Sequence, residues 1–273
     1  MTSDADSWEL SVGQSVAADC TVQELLGGGR DFEVFAAFDT RRLCPVVMKV
    51  LRPSKALDPA AVDRLRREIE VTGRLNHPGL VRGFHASLDL PRPYLCLERV
   101  FGPPLLEAVR DEGPVDVAVA VPLMLEAASA LHYMHSQGFV HLDVTPVNVI
   151  LGSPARLIDF SLARSIADAT EIDGAVGTRG FQPPEIAGVD GAGYPGPWSD
   201  VWSLGATAYF GLTGETVAEG GSLPAEIPAA LGDLIDSMLA ESPHDRPTAE
   251  AVFESMDVLA GQLPAPRIDL FRP

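Results

Sequence analysis

Asp143, Asn148 and Asp159 fall in two neighbouring segments, HLDVTPVNVIL (141–151) and LIDFSLA (157–163). Asp143 and Asn148 sit in a short loop after a helical pattern, and Asp159 ends an apolar strand. Two carboxylates and an amide converging on one point suit a proton acceptor and a divalent cation. An all-oxygen ligand set of this kind favours magnesium over zinc. Taken separately, either segment also reads as polar loop residues that only cap turns.

A cation stands upstream. Of the 20 Lys and Arg residues only Lys49 and Lys55 are lysine, so a requirement for an ammonium group at position 49 is worth weighing. Lys49 lies on the apolar segment CPVVMKVL (44–51), behind the tract Leu26-Gly27-Gly28-Gly29. Backbone N–H groups freed by glycine can approach a phosphate closely, and an ammonium can bridge its oxygens. Alone, the tract reads equally well as a flexible hairpin. Glu68 supplies a third link. Leu65, Glu68, Thr72 and Leu75 recur at helical spacing on one face. A carboxylate on that inward seam is costly unless paired, and Lys49 is its natural partner. Read within RLRREIE alone, Glu68 is a solvated charge.

The elements that must position these groups come in two sets. TVQELL (21–26), EVFAAFD (33–39) and CPVVMKVL (44–51) read as strands, followed by a helix to about Leu75 with Asp58 as N-cap and Pro59 at its first position. His77-Pro78-Gly79 stops that helix, and strands follow near Leu80–Leu88 and Pro93–Val100. Beyond Gly102-Pro103-Pro104 the pattern turns helical: Leu105–Asp111, then Val117–Gln137 behind Asp116. A loop with short strands covers 139–160, and Trp198–Thr213, Ala229–Leu239 and Thr248–Leu259 have helical spacing. Strands first and helices second predict two lobes joined near residue 100, with short tails at 1–15 and 261–273.

Composition narrows the class. With 273 residues, 46% apolar and 21% charged, the chain can bury a sizeable core and is not a disordered tract. The charge-light runs at 117–125 and 201–213 fall short of the roughly 20 apolar residues of a membrane helix, so no membrane span is expected. The start, MTSDADSW, lacks the features of a secretory signal. Cys20, Cys44 and Cys96 form no metal-ligand spacing and cannot all pair, which predicts a reduced cytoplasmic protein. The net charge of −18 disfavours nucleic acid as a partner, and it admits either simple solubility or a basic partner.

In this order and spacing, LGGGRDFEVFAA, VVMK, Glu68 ahead of His77-Pro78, LERVFG, HLDVTPVN, DFS, GTRGFQPPE, SDVWSLG and HDRP make the chain resemble the bacterial branch of the eukaryotic-type serine/threonine protein kinases over roughly residues 18–260. The resemblance implies an α+β, two-lobed protein kinase fold. Its N-lobe would be an antiparallel sheet plus helix C, and its C-lobe mostly helical. The divisions would be an N-terminal extension at 1–17, the N-lobe at 18–100, the C-lobe at 101–260 and a tail at 261–273.

It implies ATP and magnesium as cofactors and a protein as substrate. Leu26, Gly27, Gly28, Gly29, Val34, Val47 and Ile150 would enclose the nucleotide, with Leu97 as gatekeeper and Glu98, Arg99 and Val100 as hinge. Lys49 would hold the phosphates and pair with Glu68, Asp143 would be the catalytic base, and Asn148 and Asp159 would hold magnesium. Thr178 would contact the catalytic loop, Glu185 would pair with Arg246, and Asp200 would anchor that loop.

Five departures from the family pattern bear on activity. Phe32 replaces the third glycine of the loop, which predicts a looser closure with the aromatic ring able to cap the phosphates. Leu142 replaces the arginine before the base, so no cation answers a phosphorylated activation segment. That segment carries Asp168, Glu171 and Asp173, and its active shape is expected not to depend on modification of Thr170. Thr145 takes the catalytic position of a lysine that stabilises the transferred group, a loss on the order of 10²–10³ in rate. Ser161 replaces the glycine of DFG. Only GETVAEGGSLPAEI separates Thr213 from Pro228, so helix G is expected to be reduced or absent. An active kinase is the leading reading; a pseudokinase that holds nucleotide as a scaffold is the alternative.

Overall fold

A computed structural model of the chain describes residues 6–172, 174–187, 193–218 and 220–263. The strand-forming segments build one antiparallel sheet from β1 (Ser15–Ala17), β2 (Cys20–Gly28), β3 (Phe32–Asp39), β4 (Cys44–Leu51), β5 (Gly83–Ser87) and β6 (Tyr94–Glu98). Their order across the sheet is β1-β2-β3-β4-β6-β5. Alternation divides β4 cleanly: Val46, Met48 and Val50 enter one apolar core, while Val47 packs on the opposite face toward the other lobe. Helix α1 (Pro59–Arg74) crosses the second face, started by Asp58, whose carboxylate accepts the Ala60 N–H at 3.1 Å, and by Pro59.

Two differences from the expected elements have simple causes. The strand near Leu80–Leu88 begins only at Gly83, because Leu80 leaves the sheet to bridge Leu157 of the other lobe. Residues 6–17, read as a tail or extension, pack on the N-lobe. The Trp8 indole donates to Leu51 O at 2.7 Å, Glu33 accepts from Ser7 and Trp8, and β1 joins the sheet edge. Three residues carry no periodic signal, so this strand was not legible.

The second lobe is helical: α2 (Leu105–Glu112), α3 (Val117–Ser136), and beyond the loops α5 (Pro197–Thr213), α6 (Ala229–Met238) and α7 (Ala249–Ala260). Between α3 and α5 run β7 (Phe139–Val140), β8 (Val149–Ile150), β9 (Arg156–Leu157), β10 (Arg164–Ser165) and the short α4 (Ile166–Ala169). These pair as two small hairpins, β8 with β9 and β7 with β10. At 20 residues α3 is long and apolar enough to cross a membrane, more so than the run at 117–125 suggests. Half of its most apolar window is buried inside the protein, where it packs on α5 and α7 as the core helix of the lobe. Among the described residues between Thr213 and Pro228 there is no helix, in line with the absent helix G; Tyr209 instead donates to Gly221 O at 2.8 Å.

Candidate active site

Glu68 projects from the buried seam of α1 and meets Lys49 of β4 across the space beneath the sheet. Lys49 Nζ lies 3.0 and 2.8 Å from the two Glu68 oxygens and 2.8 Å from Asp159 Oδ1. Burial works against the Lys49 charge, but Glu68 and Asp159 outweigh it and hold the ammonium above the ordinary lysine range. Burial pushes the Glu68 carboxyl up, with Lys49 opposing. Burial also opposes charge on Asp159, yet Lys49 prevails and holds that carboxyl well below the usual carboxylate range. The pairing expected from helical spacing is therefore present, and Asp159 joins it.

Phe32 bears on the same group. It is buried at the start of β3, with its ring centroid 4.7 Å from Lys49 Nζ. The ring thus lies beneath the glycine turn against the ammonium, not out over the turn. Gly28 is required by that hairpin itself: at φ +155°, a Cβ there would stand 2.3 Å from the Phe32 carbonyl oxygen.

The loop after β7 presents Asp143. Thr178 donates to Asp143 Oδ1 through its hydroxyl at 2.8 Å and its N–H at 3.1 Å, and Asn148 Nδ2 donates to Oδ2 at 2.9 Å. Close approach of the 177–178 backbone is allowed by Gly177, where a Cβ would stand 3.0 Å from Leu142 O. The loop is anchored from below by Asp200, which accepts the His141 N–H at 2.8 Å and the Leu142 N–H at 2.7 Å. Two residues here hold left-handed backbone, Leu142 at φ 63° and Asp159 at φ 62°. Non-glycine residues pay for such conformations with on the order of 1–3 kcal/mol, and they persist where surrounding bonds over-determine them. Further out, Arg246 forms a bidentate pair with Glu185 at 2.6 and 3.0 Å, both side chains fully buried.

A cleft of about 470 Å³ lies between the lobes. Leu26, Gly27, Gly28, Val34, Val47, Leu97, Glu98, Arg99, Val100 and Ile150 line it together with Lys49, Glu68 and Asp159. Gly29 and Asn148, also assigned to the nucleotide, are not among its lining residues. Val81, Val147 and Ile158 are, and sequence reasoning did not assign them to the nucleotide; Ile158 directly precedes Asp159, which was the available signal. Sheet pairing stops at Glu98, so Arg99 and Val100 border the cleft without a strand partner. One end of the cavity is apolar and the other charged, which fits a flat ring with a phosphate tail. The fit to magnesium rests on donor chemistry: Asn148 spends its amide nitrogen on Asp143, leaving an oxygen, and Asp159 spends Oδ1 on Lys49 and the Ser161 N–H, leaving Oδ2.

Beneath the loop the chemistry changes. Leu142 is buried with Val140, Ala169 and Ile186, and Leu162, Ile166, Ile172 and Val176 pack around them. Arg164 is close enough to Arg67 to feel its charge: burial and Arg67 lower its pKa, while Asp168 opposes them. Arg164 and Arg67 are cations near this segment that the reading of Leu142 did not consider. Asp173 lies outside the described residues. Thr145 is buried, and among the described residues its hydroxyl has no hydrogen-bond partner.

This two-lobed architecture, with an ion-paired lysine above and a clamped aspartate below, is that of a protein kinase. The sequence model of the protein kinase domain family matches residues 20–256, and the chain belongs to that family. Its relatives include the serine/threonine-protein kinase PknB of Mycobacterium tuberculosis, 36% identical over 209 residues, covering 73% of this chain and 33% of the relative. Serine/threonine-protein kinase PknB of Mycobacterium leprae is 36% identical over 201 residues, covering 70% of this chain and 32% of the relative. A probable serine/threonine-protein kinase PknB of Corynebacterium glutamicum is 33% identical over 209 residues, covering 72% and 32%. The chain spans about a third of the length of these relatives.

Proposed function

We propose that this chain transfers the γ-phosphate of ATP to a serine or threonine hydroxyl of a protein. The observation that carries this reading is the double clamp on Asp143, with Thr178 on one carboxylate oxygen and Asn148 on the other. A base held this way can accept the proton of an incoming hydroxyl without first searching for its orientation. Lys49, fixed as a cation by Glu68 and Asp159, would hold the phosphates, and Asn148 and Asp159 would hold magnesium. Bound magnesium supplies charge neutralisation on the phosphates. Thr145 brings a hydroxyl where the family pattern has a lysine, so charge stabilisation from that position is weaker.

The activation segment would keep its active shape without phosphorylation. In place of an arginine awaiting phosphate, Leu142 anchors the apolar cluster that gathers Ile166, Ala169, Ile172, Val176 and Ile186. Asp168 carries a permanent negative charge that acts on Arg164. The net charge of −18 supports a basic protein substrate, and three cysteines with no disulfide among them support a reducing, cytoplasmic setting.

The test is radiolabelled phosphate transfer from ATP and magnesium, to the chain itself and to a generic basic substrate, with Asp143→Asn as control. Label that vanishes in the variant supports the reading. Absence of label, with thermal stabilisation by ATP that Lys49→Met abolishes, would instead leave a nucleotide-holding scaffold.

A further inference from the structure

On the sheet face opposite Val47 and Lys49, a second apolar core of Val16, Val22, Phe35, Val46, Met48 and Val50 is closed by groups of a different kind. Cys20 opens β2, Asp39 ends β3, His85 lies in β5 and Cys96 in β6. Their ligand atoms all lie within 4.8 Å of one another. Cys20 Sγ is 3.8 Å from His85 Nε2, which is 3.6 Å from Asp39 Oδ2. Zinc bonds of about 2.3 Å to sulfur and 2.0–2.1 Å to nitrogen or oxygen set tetrahedral ligands roughly 3.3–3.8 Å apart. The set is therefore within about 1 Å of closing on an ion.

Burial and the nearby Asp39 push both thiols up, so an ion entering here displaces their protons. Cys20, Asp39 and Cys96 are buried, while His85 is part-exposed and gives an ion access from solvent. Asp39 is held by outer bonds: Oδ1 accepts the Arg41 and Arg42 N–H groups at 2.8 and 2.9 Å, and Oδ2 accepts from the Arg42 guanidinium at 2.8 Å. Such outer partners orient metal-binding carboxylates. Zinc on two thiolates, a carboxylate and a neutral imidazole leaves one negative charge, and Arg42 stands beside it to offset it. Two sulfurs and an imidazole select zinc over magnesium or calcium.

We propose that Cys20, Asp39, His85 and Cys96 form a structural zinc site that ties four strands together at the back of the N-lobe. None of the four lines the cleft, so the site is independent of the phosphotransfer reading. The cysteines have no metal-ligand spacing along the chain, and the curled sheet brings together what that spacing hides. Cys44, opposite Asp39 in the β3–β4 register, lies outside the set and serves as a control.

The experiment uses the full chain, purified without chelator, with bound zinc quantified after gel filtration and then replaced by cobalt. The expected result is one zinc per chain and the intense ligand-field bands of tetrahedral, thiolate-bound cobalt. Both should disappear in Cys96→Ser and His85→Ala and survive in Cys44→Ser, and zinc should raise the melting temperature of the stripped wild-type chain. Folded wild-type protein that retains no zinc and gives no such cobalt spectrum overturns the proposal. So does an intact mass showing a Cys20–Cys96 disulfide. If Cys96→Ser fails to fold, the wild-type cobalt spectrum and His85→Ala still decide the matter.

Discussion

Toward the cleft, the machinery of this domain is held by charge: Lys49 between Glu68 and Asp159, and Asp143 between Thr178 and Asn148. Toward the activation segment, the same catalytic loop rests on hydrocarbon, with Leu142 packed among Val140, Ala169 and Ile186. Both regions carry a residue in left-handed backbone, Asp159 in the first and Leu142 in the second. The two kinds of support respond to different conditions. Charge networks respond to protons, salt and bound cations, whereas an apolar cluster is formed whenever the lobe is folded. On the proposed reading, the nucleotide side stays sensitive to its ligands, and the activation side is assembled by folding itself.

The comparison can be broken most sharply at the base. Asp143→Asn should lower the transfer rate by on the order of 10²–10⁴ and lower the melting temperature slightly, since an amide keeps an oxygen for the Thr178 hydroxyl but turns its NH2 onto the Asn148 Nδ2 donor. Next in size, Lys49→Met should lower transfer by on the order of 10²–10³. It should also destabilise the fold by about 3–5 kcal/mol, because Glu68 is left buried and unpaired; denaturant titration measures this. On the other side, Leu142→Ala should cost about 2–5 kcal/mol through the cavity it opens. Limited proteolysis should then cut between residues 162 and 176, and this loosening should be indifferent to salt.

A smaller effect concerns acid. Lys49 depresses the folded-state pKa of Asp159 below its ordinary 3.8. The stability this pairing contributes is thus fully present above that value and is lost as pH falls through the folded pKa. Wild-type stability should fall more steeply than that of Asp159→Asn between about pH 5 and 2. Because 38% of the Asp159 side chain is exposed, solvent screening keeps the difference modest. Smallest of all, Thr170→Ala should change the initial transfer rate by less than about two-fold. Thr170 is exposed and its hydroxyl only caps its own turn, donating to Ala167 O at 2.7 Å. A large loss there would show that phosphate, not the Leu142 cluster, organises the segment.

Much of the cleft was legible because its signals are local. Helical spacing placed Glu68 on an inward seam, and the scarcity of lysine singled out Lys49. Caps at Asp58 and Asp116 marked two helix starts that the structure places at the following residues. What stayed hidden lacks periodicity or crosses long stretches of chain. The Leu142 cluster draws on turns and the four-residue α4, which no period-2 or period-3.6 pattern reports. Phe32 was read as a loop residue able to cap phosphates, whereas β3 begins at that residue and turns the ring inward onto Lys49. The Cys20, Asp39, His85 and Cys96 cluster depends on sheet curl and strand order, which the sequence does not display.

The most direct test is the initial rate of phosphate transfer to a serine/threonine peptide by the chain after phosphatase treatment and removal of the phosphatase. An activation segment assembled by apolar packing predicts a linear time course from the first turnover, independent of enzyme concentration once normalised and abolished by Asp143→Asn. A lag that shortens with enzyme concentration, as self-phosphorylation builds up, would contradict it.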